Sequence, residues 1–125
     1  MKYVCIAVAI LLALTLLCVG NLWMLERSVA PIREAVCRAR EAVPGEPAAA
    51  LEALSEAQRC WNRREGYFYA VVPHAAAACI PQTLARCRSY LERGDAVSAM
   101  SELAALAEQM ESILSMERVS LSNLL

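Results

Sequence analysis

Apolar positions dominate the first part of the chain. The segment Tyr3–Leu25 reads YVCIAVAILLALTLLCVGNLWML and carries no charge, and its polar interruptions are Thr15, Gly20 and Asn21. A helix of ~23 residues rises ~34 Å, which is enough to cross the ~30 Å hydrocarbon core of a bilayer. Residues 1–25 are therefore predicted to be a transmembrane anchor.

The flanks of this segment bear on its cleavage and orientation. Tyr3 and Trp23 stand at its two ends, where interfacial aromatic residues occur in membrane helices. The alternative is a signal peptide cleaved after Gly20, although the apolar stretch is longer than a normal signal-peptide core. Arginines follow the segment and favour a cytoplasmic C-terminal part, whereas a short basic start such as Lys2 is typical of a signal anchor. We expect a single-pass protein of the cytoplasmic membrane with its C-terminal domain extracytoplasmic.

Beyond the anchor, apolar positions recur at the 3- and 4-residue spacing of amphipathic helices. Pro31 interrupts the first stripe and removes an amide donor, so we expect a kink or short break at residues 27–31 with Ser28 as an N-cap. The stripe itself holds Leu22, Leu25, Val29, Ile32, Val36, Ala39 and Val43. Helices of the domain at 26–125 are predicted at about 28–43, 48–72, 74–93 and 96–116, with a tail at 117–125.

Prolines and glycines mark the predicted turns. Pro44-Gly45 ends one helix, Pro47 suits the first turn of the next, and Pro73 ends that one. Gly94 is predicted to cap the third helix and Asp95 to open the fourth. The inner faces are predicted to hold Leu51, Leu54, Trp61, Phe68 and Val72; Leu84, Cys87 and Leu91; and Val97, Met100, Leu103, Leu106, Met110, Ile113 and Leu114. The predicted fold class is all-α, an N-terminal transmembrane helix followed by a small antiparallel helical bundle.

Charge and composition narrow the function classes. The 125 residues carry 12 Lys and Arg against 13 Asp and Glu, a net charge of −1, which is not the basic footprint of a nucleic-acid-binding protein. A single His leaves few groups for acid–base chemistry. No CxxC or HxxxH pair supplies metal-ligand spacing around His74. We predict a protein that is not an enzyme, with no catalytic residues, cofactor or metal and no nucleic-acid partner.

Four of the six cysteines follow the anchor, at Cys37, Cys60, Cys79 and Cys87. They are candidate disulfide cysteines in an oxidising compartment, or buried thiols that behave as small apolar residues. Cys79 and Cys87 are ~12 Å apart along one straight helix, too far to pair. Any bridge must therefore cross helices, and the buried-thiol alternative is favoured.

Three consecutive aromatic residues, Tyr67, Phe68 and Tyr69, form the candidate interaction surface. Successive side chains on a helix cannot all face one core, so at least one ring is predicted to be partly exposed. Such a surface would contact lipid headgroups, a partner or another copy, and the favoured alternative is that the rings lie in the core or in a crevice. Trp61 is predicted to anchor the core, and His74 to cap a helix start or lie in the turn.

The chain resembles a family of small single-span membrane proteins of unknown function, domain of unknown function 4363, from clostridia and other Firmicutes. The matching features are Trp61, His74, Leu84-Ala85-Arg86, Tyr90-Leu91, the Ala- and Leu-rich stretch Met100–Leu114, and Asn123-Leu124-Leu125. Relatives carry acidic residues just after this His, whereas the present chain has Ala75–Ala78 at these positions. Any role of the acidic residues in the relatives therefore does not carry over to this chain. The resemblance implies no established activity.

These features predict an uncharacterised membrane-anchored helical protein, a non-enzymatic interaction module or an accessory subunit of a membrane complex. Its expected partners are the lipid bilayer and an integral-membrane protein or a second copy of the chain. The alternative is an envelope sensor of a ligand, bound in the bundle core, or of thiol redox state, through the four outer cysteines. An enzyme centred on His74 with Cys79 or with a glutamate is the third hypothesis.

Overall fold

The structure, a computed structural model, describes residues 1–124. Its elements are the helices α1 (Lys2–Ala42), α2 (Pro47–Val71), α3 (His74–Glu92) and α4 (Ala96–Leu124). Each of α1 and α3 packs against both α2 and α4, while α1 and α3 make no contact with each other in this part of the chain. Short turns join consecutive helices, so neighbours run antiparallel in an up-down-up-down bundle. The predicted all-α class is confirmed.

The helix α1 is continuous but meets two environments. Its N-terminal half is exposed, and an 18-residue apolar window there has none of its residues buried. Its C-terminal half lies in the bundle core, where Leu22 is half-buried. The other members of the predicted stripe are all buried: Leu25, Val29, Ile32, Val36, Ala39 and Val43. A helix long and apolar enough to span a membrane thus continues directly into the core of the bundle.

The expected break at residues 27–31 is wrong. Pro31 lies inside α1, which stays helical on both sides of it. A proline in a helix interior removes one backbone hydrogen bond and costs about 3 kcal/mol. The burial of Val29 and Ile32 near Pro31 offsets this cost. Ser28 therefore does not cap a helix and instead lies on the buried face.

The helix α4 continues to Leu124, so the tail predicted after residue 116 is wrong. Its last turns carry Glu117 and Arg118, which bond to Asn21 and Glu26 of α1. Val97 is 83% exposed, and its predicted place on the inner face is also wrong. The remaining predicted positions of α4 are buried, except that Met100 is half-buried.

The α3–α4 turn is built as the sequence predicts. Gly94 has φ +76°, a left-handed conformation that favours glycine. The Asp95 amide donates to Tyr90 O at 2.9 Å and the Gly94 amide to Leu91 O at 3.1 Å, the two bonds of a Schellman motif. Asp95 Oδ1 then accepts the Ser98 amide at 3.1 Å and caps α4. At the other turns, Pro47 opens α2 and Pro73 follows its end.

Candidate functional site

A polar network joins three helices where the apolar half of α1 meets the bundle. The Tyr67 hydroxyl of α2 lies 3.1 Å from Asn21 Oδ1 and 3.2 Å from the Asn21 carbonyl oxygen of α1. Asn21 Nδ2 donates to Glu117 Oε2 of α4 at 3.1 Å. Both ends of the Asn21 amide group are therefore bonded within the protein, which satisfies the hydrogen-bonding groups of a polar side chain at the edge of an apolar segment.

Electrostatics keep Tyr67 a hydrogen-bond donor in this network. Burial raises the pKa of Tyr67, the Glu117 carboxylate raises it further, and the Arg64 guanidinium opposes the two. The phenol is therefore protonated well beyond neutral pH and donates to Asn21, while the amide of Asn21 donates to Glu117. The Asn21 side chain thus links Tyr67 and Glu117, with its oxygen as acceptor and its nitrogen as donor.

Ion pairs extend this junction along α1 and α4. Arg118 contacts Glu26 at 3.1 Å and Glu111 at 4.0 Å, and Arg33 contacts Glu111 at 2.9 Å. Because these side chains are about half exposed, each pair contributes little free energy alone. Two of them, Arg118–Glu26 and Arg33–Glu111, connect α4 to positions of α1 that are about two turns apart, and so support the register of the two helices. On the outer face, the Arg27 guanidinium stacks over the Trp23 ring at 4.7 Å.

The aromatic run of α2 is divided between core and surface. Phe68 is 1% exposed and stacks on Trp61, with ring centroids 4.6 Å apart and planes within 3°. Tyr69 meets the edge of Trp61 at 6.0 Å and the ring of His74 at 4.9 Å. The proposed surface of three aromatic residues is therefore wrong for Phe68, which is part of the core. Tyr67 and Tyr69 are half-buried, and their role in binding stays a prediction.

The model of one protein family, described as a domain of unknown function (DUF4363), matches residues 24–124. The chain belongs to this family. The match takes in all of the bundle and begins near the end of the apolar segment of α1, so the junction lies within or beside the family's domain. Comparison of this DUF4363 chain with curated proteins and with solved structures returned no match in either set.

The other candidate residues of the DUF4363 chain do not converge on one centre. His74 is the exposed first residue of α3, and Asn123 is exposed near the end of α4. Gly94 and Asp95 lie in the turn at the opposite end of the bundle. Within residues 1–124, no group of three or more His, Cys, Asp or Glu side chains is placed to hold a metal ion.

All six cysteines, each within the described part of the chain, are free thiols. Cys60 and Cys87 are buried, so burial raises the pKa of Cys60 and raises that of Cys87 to about 11. Cys37 and Cys79 are exposed but lie on α1 and α3, which do not touch. The described residues contain no disulfide, and pairing of the four outer cysteines stays a prediction. The buried thiols of Cys60 and Cys87 lie 3.6 Å from Glu56 Oε1 and from the Ala99 carbonyl oxygen.

Sequence reasoning missed the roles of Asn21 and Glu117. Asn21 stood out only as a polar interruption in an apolar run, and Glu117 fell in the supposed tail. The available signal was the position of Asn21 itself, because a polar side chain in an apolar helical segment needs a hydrogen-bond partner where that segment is buried. Its partners lie 46 and 96 residues away in the chain, beyond the reach of any local pattern.

Proposed function

We propose that this DUF4363 protein is a membrane-anchored helical interaction module, an accessory subunit of a membrane complex. The observation that carries the proposal is the exposed apolar half of α1, which continues without a break into the bundle core. An apolar surface of this length is unfavourable in water. A bilayer or an apolar partner helix would cover it.

An apolar collar supports contact close to the membrane. Trp23 and Met24 of α1 and Met116 and Val119 of α4 are exposed where the bundle begins. Because Glu117 meets Asn21 and α4 runs antiparallel to α1, the last turns of α4 run beside the apolar half of α1. In the proposed arrangement the collar lies at the bilayer surface, where Trp23 is suited to the interface and an integral-membrane partner is within reach.

The thiol-sensor alternative gains no comparable support. An intramolecular disulfide switch needs two accessible thiols that can approach to ~4.4–6.8 Å between Cα atoms. The exposed Cys37 and Cys79 lie on opposite helices of the bundle, and Cys60 and Cys87 are buried. Such a switch would require the bundle to open.

The anchor is tested on the full chain in its own membranes. We expect the full chain to stay in the membrane pellet after the membranes are washed with alkaline carbonate. Arginine substitutions at Leu12 and Leu16, both exposed, should reduce membrane retention because charge in the middle of a span is strongly unfavourable. The matched control is Val97→Arg, an exposed apolar position in the bundle. Release of the unmodified chain by carbonate would contradict the anchor.

The accessory-subunit role is tested by purifying the tagged full chain from its membranes in mild detergent, with mass spectrometry of the proteins that accompany it. We expect an integral-membrane protein in stoichiometric amount. Trp23→Ser combined with Met116→Ser should weaken its recovery if the collar makes the contact, while Val97→Ser should not. A chain that purifies as a monomer without a partner would contradict the role.

A further inference from the structure

A separate cleft lies between α1 and α2, about two turns beyond the junction. It measures about 190 Å³ and lies below the ~300–1,000 Å³ of sites for drug-sized ligands. A small group fits it better than an extended molecule. Its lining comes from Arg27, Ser28 and Pro31 of α1 and from Cys60, Arg63 and Arg64 of α2.

Three arginines line this cleft, and the guanidinium of one of them, Arg27, stacks on Trp23. None of the ion pairs within residues 1–124 includes Arg27, Arg63 or Arg64. The nearby carboxylates are engaged elsewhere: Glu26 pairs with Arg118, and Glu56 bonds to Arg59 and to the Cys60 thiol. The lining of the cleft therefore contains three positive charges and no carboxylate.

Ser28 supplies an independent observation. It is 4% exposed, lines the cleft, and its hydroxyl has no hydrogen-bond partner among the described residues. A buried hydroxyl without a partner is unfavourable, so an acceptor oxygen that reached it from the cleft would satisfy it. Arginine side chains attract the same kind of oxygen, that of a phosphate, and bind it in bidentate fashion.

We propose that the three arginines and Ser28 form a binding site for a phosphate group. Ser28 lies three residues beyond the end of the apolar segment at Leu25, a rise of ~4.5 Å along α1. In an anchored protein that depth is the level of the lipid headgroups. The phosphate belongs either to an anionic phospholipid or to a free phosphate. Only the lipid source rests on the proposed membrane anchor, and the site itself does not.

The test uses the full chain purified in a neutral detergent, with two probes. Inorganic phosphate is titrated at constant ionic strength by calorimetry. Phosphatidylglycerol and phosphatidylcholine are added in equal amounts, and retained lipid is measured by native mass spectrometry. Preference for phosphatidylglycerol assigns the site to a lipid, and binding of inorganic phosphate without lipid preference assigns it to a free phosphate. Binding of neither probe overturns the proposal.

Two variants separate a built site from general positive charge. The combined change of Arg27, Arg63 and Arg64 to Gln should weaken the observed binding at least about tenfold. The matched control changes Arg38, Arg40 and Arg93 to Gln, which removes the same charge at the far end of the bundle and should leave binding unchanged. Equal losses in both would overturn the site.

Ser28→Ala removes only the hydroxyl, and we expect about tenfold weaker binding with an unchanged net charge. Its melting temperature should not fall, because the lost hydroxyl has no partner in the protein. Unchanged affinity in Ser28→Ala would contradict the assigned geometry, even if the arginine variant loses binding. Because the carbonate wash measures the anchor separately, failure of the anchor and failure of this site are distinguishable.

Discussion

The Tyr67 hydroxyl meets the Asn21 side chain at 3.1 Å, and this contact lies where the apolar half of α1 enters the bundle. Asn21 in turn bonds to Glu117, so one amide group connects three helices. This contact ties the bundle to the apolar segment at its edge. Movement of the proposed anchor relative to the bundle would have to break it.

Tyr67→Phe removes the donor of this network. We expect the free energy of unfolding to fall by about 1 kcal/mol, the net contribution of a typical hydrogen bond. Thermal unfolding in detergent, followed by circular dichroism, measures it against Tyr3→Phe, whose exposed ring makes a neutral control. In combination with Asn21→Ala the losses should be less than additive, because both changes break the same bond. Additive losses would show that the contact is not formed.

Trp61 and Phe68 make the aromatic centre of the core. Trp61→Ala leaves a cavity beside the stacked Phe68 ring and should lower the free energy of unfolding by about 3–5 kcal/mol. Trp23→Ala is the matched control, since that ring is exposed and should affect stability far less. Similar melting temperatures for the two variants would contradict the placement of Trp61.

Asp95 should make stability depend on acid. Its hydrogen bonds from Ser98 lower the pKa of the carboxyl below its ordinary value of 3.8. Since the folded pKa lies below the unfolded one, the stabilisation is present above the unfolded pKa and is lost as pH falls through the folded pKa. Asp95→Ala should lower the melting temperature at neutral pH, whereas Asp95→Asn keeps the cap.

The control for this prediction is the difference between the wild type and Asp95→Asn as the pH falls. Other carboxyl groups are the same in both proteins. On acidification the wild type should therefore lose more stability than the Asp95→Asn variant. An equal change of melting temperature with pH in the two proteins would show that the charge of Asp95 contributes nothing to the cap.

The cysteines report both packing and orientation. A membrane-impermeant maleimide applied to intact cells should modify Cys37 and Cys79, because both are exposed and we expect the domain to be extracytoplasmic. Cys60 and Cys87 should react only after unfolding, since both are buried and burial raises their pKa. The variant Cys37→Ala with Cys79→Ala is the control. Labelling of Cys37 and Cys79 only after lysis would show that the domain lies on the cytoplasmic side, contrary to this prediction.

The turns and the buried stripes could be read from the sequence because their causes are local. Gly94 and Asp95 act through neighbours within five residues, and the stripe from Leu25 to Val43 follows from helical spacing. The split of the aromatic run could be stated only in part. Spacing required some ring of Tyr67, Phe68 and Tyr69 to be exposed, but the position of the neighbouring helices selected Phe68 for the core.

The sequence by itself determined the all-α class, the apolar segment and the family resemblance, since these depend on composition, spacing and local turn chemistry. Only the tertiary structure decided that α1 passes unbroken through Pro31 and that α4 reaches Leu124. It also brought Asn21, Tyr67 and Glu117 together, and set Ser28 beside three unpaired arginines. The physical reason is that these outcomes depend on free energy from contacts between distant helices, which outweighs the local preference of a proline or of a polar tail.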